Sequence, residues 1–233
     1  MKLVIIRHGR SRYNIGETKD LDSTLTDWGV QQSRCAGKML YEKILKEDFV
    51  EYSNSFENKY CFEEEKFNWE NWTFHTSPFF RCLETALYVR ESIFSLHKGF
   101  SINPSVYWYV EPLLREYMNH DHADEIEISS SRSLSYKENF VWNNMEFPCV
   151  FHKEVNEVFL ERMIKFYKRL DAGNHVVITH GLPAFLLSKI ATSYVHHVPI
   201  FDYSIDNGSI TYIKDGRTIY HGRNAYCELG VGV

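Results

Sequence analysis

An α/β fold built on a mostly parallel sheet is predicted by three features of this 233-residue sequence. The apolar run Leu3-Val4-Ile5-Ile6, after Lys2, stops abruptly at Arg7-His8-Gly9. A second run, His175-Val176-Val177-Ile178-Thr179, stops at His180-Gly181, and strand-like segments alternate with helix-like ones along the chain. Short unbroken apolar runs are what strands covered on both faces look like, and such strands are usually parallel. Both His-Gly pairs then arrive at the carboxyl edge of the sheet, where open α/β sheets bind ligands.

Taken in order, residues 2–6 form the first strand, which delivers a cation, Arg7, and an imidazole, His8, to that edge. A nucleophile beside an anion clamp is one reading of the pair; a packing histidine is the plainer one. Thr26 caps a helix whose apolar positions Val30, Met39, Leu40 and Ile44 recur at helical spacing. Residues 72–76 form a strand, followed by a helix with Ser77 as N-cap and Pro78 at its first position. Arg81 then lies roughly one turn inside that helix, near its positive end. Pro112-Leu113-Leu114-Arg115-Glu116 closes an apolar stretch with a carboxylate. Residues 153–170, with Val155, Val158, Phe159, Met163 and Phe166, read as a helix, residues 182–194 as another, and residues 209–213 and 218–220 as a hairpin around Asp215-Gly216.

Composition narrows the function classes. Lys and Arg number 26 against 31 Asp and Glu, a net charge of −5, so no overall basic field favours nucleic acid. Five cysteines, Cys35, Cys61, Cys82, Cys149 and Cys227, are widely spaced without a Cys-x-x-Cys pair and read as reduced thiols. The N-terminus enters a strand without a signal-peptide pattern, and no apolar run reaches membrane-spanning length, so a soluble, cytoplasmic protein is expected. The length suits one domain spanning residues 1–233.

The chain resembles the histidine phosphatase superfamily, the phosphoglycerate mutase-like proteins. The resemblance rests on Arg7-His8-Gly9 with Ser11 and Asn14, on Leu25-Thr26-Asp27-Trp28-Gly29, on Thr76-Ser77-Pro78 with Arg81 and Thr85, on Leu114-Arg115-Glu116 and on His180-Gly181, all in the family's order. It implies a three-layer α/β/α sandwich with inserted lid segments. It also implies that His8 attacks phosphorus to become a phosphohistidine, that Arg7, Arg81 and His180 hold the phosphoryl oxygens, and that Glu116 donates and accepts the proton. Asn14 would add a hydrogen bond, Ser11 would touch phosphate or cap a turn, and Gly181 would let the backbone approach the ligand. Two guanidinium forks suit phosphate oxygens, so this chemistry calls for no metal or other cofactor. The partner it implies is a small phosphorylated substrate. Arg81 as a solvated helix charge and Arg115-Glu116 as an ordinary ion pair are the corresponding plain readings.

Two stretches fall outside the resemblance, residues 47–70 and 117–150, the second a candidate substrate lid or a surface elaboration. The second also contains His120-Asp121-His122-Ala123-Asp124, whose spacing suits a zinc hydrolase. The motif set is also compatible with a phospholigand-binding scaffold without turnover and with mutase-type phosphoryl transfer. Tyr117-Met118-Asn119-His120 departs from the mutase-type pattern after the glutamate, which favours hydrolysis, and Arg10 stands where family members commonly carry Glu or Gln.

Overall fold

The computed structural model describes residues 1–46, 71–96, 107–118, 125–128, 140–142, 149–193 and 205–224. Its strands are β1 (Lys2–Arg7), β2 (Trp72–Thr76), β3 (Trp108–Val110), β4 (Glu125–Ile128), β5 (Phe140–Trp142), β6 (Cys149–His152), β7 (Asn174–Thr179), β8 (Ser209–Lys214) and β9 (Arg217–Asn224). Its α-helices are α1 (Asp27–Leu40), α2 (Phe80–Leu96), α3 (Asn156–Tyr167) and α4 (Gly181–Ala191). A seven-stranded sheet runs in the order β5-β3-β2-β7-β1-β8-β9. Neighbours from β5 to β1 pair in parallel, whereas β8 and β9 join antiparallel as the expected hairpin.

Alternation along the strands divides the apolar side chains between two faces. Val4, Ile6, Val176 and Ile178 meet Met39 and Leu40 of α1 and Leu83, Ala86 and Val89 of α2. Leu3, Ile5 and Val177 meet Phe159, Met163 and Phe166 of α3 and Leu187 and Ile190 of α4. The result is the three-layer α/β/α sandwich that the motifs imply. Among the described residues, no helix is long and apolar enough to cross a membrane.

Thr26 caps α1 as expected, its hydroxyl accepting from the Gly29 N–H at 3.0 Å, and a π-helical turn, Tyr41–Leu45, follows the helix. The start of α2 differs from the expectation. The helix begins at Phe80, whose N–H is taken by Asp22 Oδ1 at 2.6 Å, and Ser77 lies three residues ahead of it, its hydroxyl directed to His180 while accepting from the Phe79 N–H at 3.4 Å. Arg81 is therefore the second residue of the helix. α3 starts later than expected because the Glu154 N–H donates to the Met118 carbonyl at 2.9 Å and holds the preceding chain extended. Residues 140–142 are no surface elaboration: they extend the central sheet beside β3. β4 and β6 pair as a separate two-stranded sheet. The stretch 47–70 lies outside the described residues.

Two features of this frame carry consequences for stability. Gly9 and Gly29 meet main chain to main chain: a Cβ on Gly29 would lie 2.1 Å from the Arg10 carbonyl oxygen, and one on Gly9 2.3 Å from the Gly29 carbonyl oxygen. On the face under α3, His75 Nε2 lies 3.3 Å from His175 Nδ1, and His175 Nε2 lies 3.1 Å from Asp171 Oδ1. Burial, then the neighbouring His175, lowers the His75 pKa to about 3 against the opposing pull of Asp171. Burial likewise lowers His175, opposed by Asp171.

Gly29→Ala should lower stability by about 1–3 kcal/mol through this overlap, read as a lower midpoint in urea unfolding; an unshifted midpoint would mean that α1 slides aside freely. The His75 imidazole protonates near 6.5 when unfolded and only near 3 when folded. Its contribution is thus fully present above pH 6.5 and falls as pH drops toward 3, at up to about 1.4 kcal/mol per pH unit. His75→Gln should flatten the dependence of unfolding free energy on pH between 6.5 and 4.5; an unchanged slope would assign the acid sensitivity to other groups.

Candidate active site

Register alone brings three of the motif positions to one edge. Arg7 of β1 pairs with Thr179 of β7, and Thr76 of β2 pairs with Ile178, so His8, His180 and Ser77 leave adjacent parallel strands at nearly one level. The His8 N–H donates to the Thr179 carbonyl at 2.9 Å and the Ser77 N–H to the Ile178 carbonyl at 3.0 Å, prolonging both ladders by one bond. The two imidazole rings end 5.1 Å apart, edge to face.

His8 is buried, and its hydrogen bonds assign its tautomer. Nδ1 lies 2.7 Å from the Gly9 carbonyl oxygen, an acceptor only, so Nδ1 carries the proton. Nε2 then keeps its lone pair, which accepts from Arg81 Nε at 3.1 Å. Burial first, then Arg81, His180 and Arg7, hold the His8 pKa well below its ordinary 6.5, against the opposing bond to Gly9. A neutral ring with a fixed lone pair is the form in which imidazole acts as a nucleophile.

Arg81, with 1% of its surface exposed, spreads its guanidinium over three partners. Besides Nε to His8, Nη1 donates to the Leu21 carbonyl and Nη2 to Glu116 Oε2 at 3.2 Å, while Phe79 lies under its plane at 4.9 Å. Glu116 reaches the same place from the loop after β3. Its Oε2 also lies 3.2 Å from His180 Nδ1, and its Oε1 accepts from the Tyr117 N–H at 3.1 Å. Burial works to raise the Glu116 carboxyl, but His180, Arg81 and His8 outweigh it and hold the group below the usual carboxylate range. With Nδ1 donating to a carboxylate, His180 Nε2 accepts from the Ser77 hydroxyl at 2.8 Å. Burial, opposed by Glu116 and reinforced by Arg81 and Arg7, takes the His180 pKa down to about 4. The Cys82 thiol, 3.6 Å from His180 Nε2, is pushed up by burial and stays protonated.

The remaining predicted residues surround this cluster. Arg7 is half-buried and donates to the Ile205 carbonyl. Ser11 is buried, and its N–H and hydroxyl both donate to Asn14 Oδ1, at 3.1 and 3.0 Å, so these two side chains brace the loop after β1. Gly181 opens α4, whose positive N-terminal end favours anions. Sequence reasoning missed Asn207, which donates to the His8 carbonyl at 3.1 Å, and Asp22, whose acidic run in the sequence carried no signal of a helix cap 58 residues away. Thr85, noted only as part of a motif, accepts from the Gly9 N–H at 3.0 Å. Over the cluster, Phe151 of β6 stacks on Phe79 at 6.1 Å, and Leu21, Met118 and Ile128 complete an apolar cover.

Donor atoms of His8, Glu116 and His180 lie within 4.8 Å of one another, the one group of such donors among the described residues that a metal ion could use. The Arg81 guanidinium is already bonded to two of the three, so a cation entering there meets a fixed cation, and the set suits an anion better. His120, His122 and Asp124 lie outside the described residues.

No protein-family model matches the chain, and no curated protein matches it in sequence. Solved structures do match in fold. An ecdysone phosphate phosphatase from Bombix mori in complex with tungstate superposes with a TM-score of 0.57 at 15% identity, covering 95% of this chain and 92% of that one. A mycobacterial glucosyl-3-phosphoglycerate phosphatase gives 0.55 at 16% identity, over 94% and 98% of the two chains. The alpha-ribazole phosphatase of Shigella flexneri gives 0.52 at 15% identity, over 96% of each. The chain thus shares its fold with these three phosphatases, as its five motifs lead one to expect.

Proposed function

We propose that the protein is a phosphomonoesterase that hydrolyses a small phosphorylated substrate through a phosphohistidine on His8. The observation that carries this reading is the unprotonated Nε2 of a buried, neutral His8, held 3.1 Å from Arg81 Nε and facing the Glu116–His180 pair. Three of the solved structures that share the fold are phosphatases by name, and two of them hold tungstate or VO3, oxyanions of the phosphate kind.

In this reading Nε2 attacks phosphorus, the bond to the leaving oxygen breaks, and Glu116 supplies the proton that oxygen takes up. Glu116 is ionised while the site is empty, because Arg81 and His180 favour its charge. An arriving phosphate draws Arg81 to its own oxygens and adds negative charge beside the carboxyl, which raises its affinity for a proton, so that it takes one from the substrate's monoanion or from solvent before the leaving oxygen needs it. Water then attacks phosphorus, gives its proton back to Glu116, and His8 leaves. Arg7, Arg81, His180 and the N–H groups opening α4 hold the phosphoryl oxygens, with Ser11 and Asn14 shaping the loop. The apolar cover that Ile128 and Phe151 help to build lowers the local dielectric and strengthens these contacts, while leaving the hydrolytic water its approach to phosphorus. The chemistry runs without a metal.

Phosphate release from an aryl phosphate by the wild type should resist chelator, and His8→Ala should lower it by about 10³-fold or more. Chelator-sensitive release, or residual turnover in His8→Ala near that of the wild type, would remove His8 from the mechanism. The depressed pKa of His8 keeps the nucleophile unprotonated well below pH 6.5. Corrected for the substrate's own ionisation, the acid limb of kcat/KM should therefore lie well below pH 6.5; half-loss near 6.5 would indicate an ordinary, solvated imidazole.

A further inference from the structure

A buried charged cluster lies behind Glu116, away from the phosphate cradle. Arg162 of α3 forms a two-pronged ion pair with Glu154, Nη2 to Oε1 and Nε to Oε2, the latter at 3.0 Å. Its remaining arm, Nη1, donates to the carbonyl oxygens of Leu113 at 2.5 Å and Arg115 at 3.1 Å. Glu154 Oε2 also accepts from Arg115 Nη2 at 3.1 Å, and the Glu154 N–H donates to the Met118 carbonyl. The loop that carries Glu116 is thus fastened at residues 113, 115 and 118, on both sides of the carboxylate, to one arginine–glutamate pair. Side-chain exposure is 5% for Arg162 and 2% for Glu154.

Such a pair is a poor device for stability alone. Two ions taken out of water pay a desolvation penalty that their attraction rarely exceeds, and apolar side chains of similar size serve a core as well. What the pair does offer is direction: a planar fork with fixed donor angles sets where two carbonyls stand, which an aliphatic side chain does not do. Glu116 itself is tied to Tyr117, Arg81 and His180, and an incoming phosphate competes for Arg81. Its backbone therefore needs an anchor that the substrate does not disturb.

We propose that Arg162, locked by Glu154, is a positioning residue for Glu116, holding the loop so that the carboxyl stays within reach of the leaving oxygen when Arg81 turns to the phosphate. This rests on the phosphatase reading above. A misplaced acid has a distinct kinetic signature, because nitrophenolate departs without a proton while an alkoxide does not. The parameter kcat/KM reports only the steps through phosphoryl transfer, so hydrolysis of the phosphoenzyme does not obscure it.

The test measures kcat/KM for nitrophenyl phosphate, phenyl phosphate and an alkyl phosphate with wild type, Arg162→Gln, Arg162→Lys, Glu154→Gln and Glu116→Gln. Arg162→Gln should lose at least about tenfold more on the alkyl ester than on the nitrophenyl ester, following the pattern of Glu116→Gln, with Arg162→Lys recovering part of the loss. Equal losses on all three esters, or no loss, would overturn the positioning role. Thermal unfolding and binding of inorganic phosphate identify any variant that fails to fold, in which case Arg162→Lys and Glu154→Gln are held to the same ratio. A wild type that turns over none of the esters would instead remove the phosphatase reading, and this proposal with it.

Discussion

The buried guanidinium of Arg81 sets the terms for everything around it. A cation with 1% of its surface in contact with solvent must find partners for its N–H groups inside the protein, and here it finds an imidazole nitrogen, a carbonyl and a carboxylate. Each partner comes from a different part of the chain: the turn after β1, the loop before α1, and the loop after β3. That middle loop is fastened to the start of α2 at successive points, Asp22 to the Phe80 N–H, Leu21 to Arg81, and the Leu25 N–H to Glu84 at 2.6 Å. The edge of the sheet is therefore closed around one side chain, and the site's geometry follows from satisfying it.

The charges at this edge are sorted by how each group answers burial. The guanidinium keeps its proton in any protein environment, while the two imidazoles shed theirs because desolvation disfavours the charged ring. Glu116 stays ionised because His180 donates to it and the Arg81 guanidinium touches it. An empty site thus holds a compensated Arg–Glu pair flanked by two neutral rings, and each ring has one nitrogen protonated and one accepting. Apolar cover from Phe79, Phe151, Met118 and Leu21 deepens these effects by keeping water away.

Much of the fold and of the site could be read from the residues because the relevant signals are local. Val4-Ile5-Ile6 and Val176-Val177-Ile178 are buried on both faces and read as unbroken apolar runs, so the strands that deliver His8 and His180 stand out. Thr26 caps α1 through a bond three residues away, and the β8–β9 turn is marked by Asp215-Gly216, both at positive φ. What escaped reading depends on distance in sequence. Ser77 has the chemistry of an N-cap, yet its hydroxyl goes to His180, 103 residues on, while the helix takes its cap from Asp22. The start of α3 is delayed by a bond to Met118, and β5 joins the sheet from within a stretch that carries no strand pattern strong enough to separate it from a loop. Nor did any local cue pair Glu154 with Arg162 and the carbonyls before Glu116, since only tertiary contact makes them neighbours.

The contact between Gly9 and Gly29 has a genetic side. Where a large side chain presses on another, a smaller partner elsewhere restores the fit, so damage at one position is repairable at a second. Here the opposing atoms are the carbonyl oxygens of Arg10 and Gly29, which every amino acid carries. No second-site replacement can shorten a carbonyl. Relief at either position has to come from movement of the backbone or from stability gained elsewhere in the fold, because trimming a neighbouring side chain leaves both carbonyl oxygens where they are.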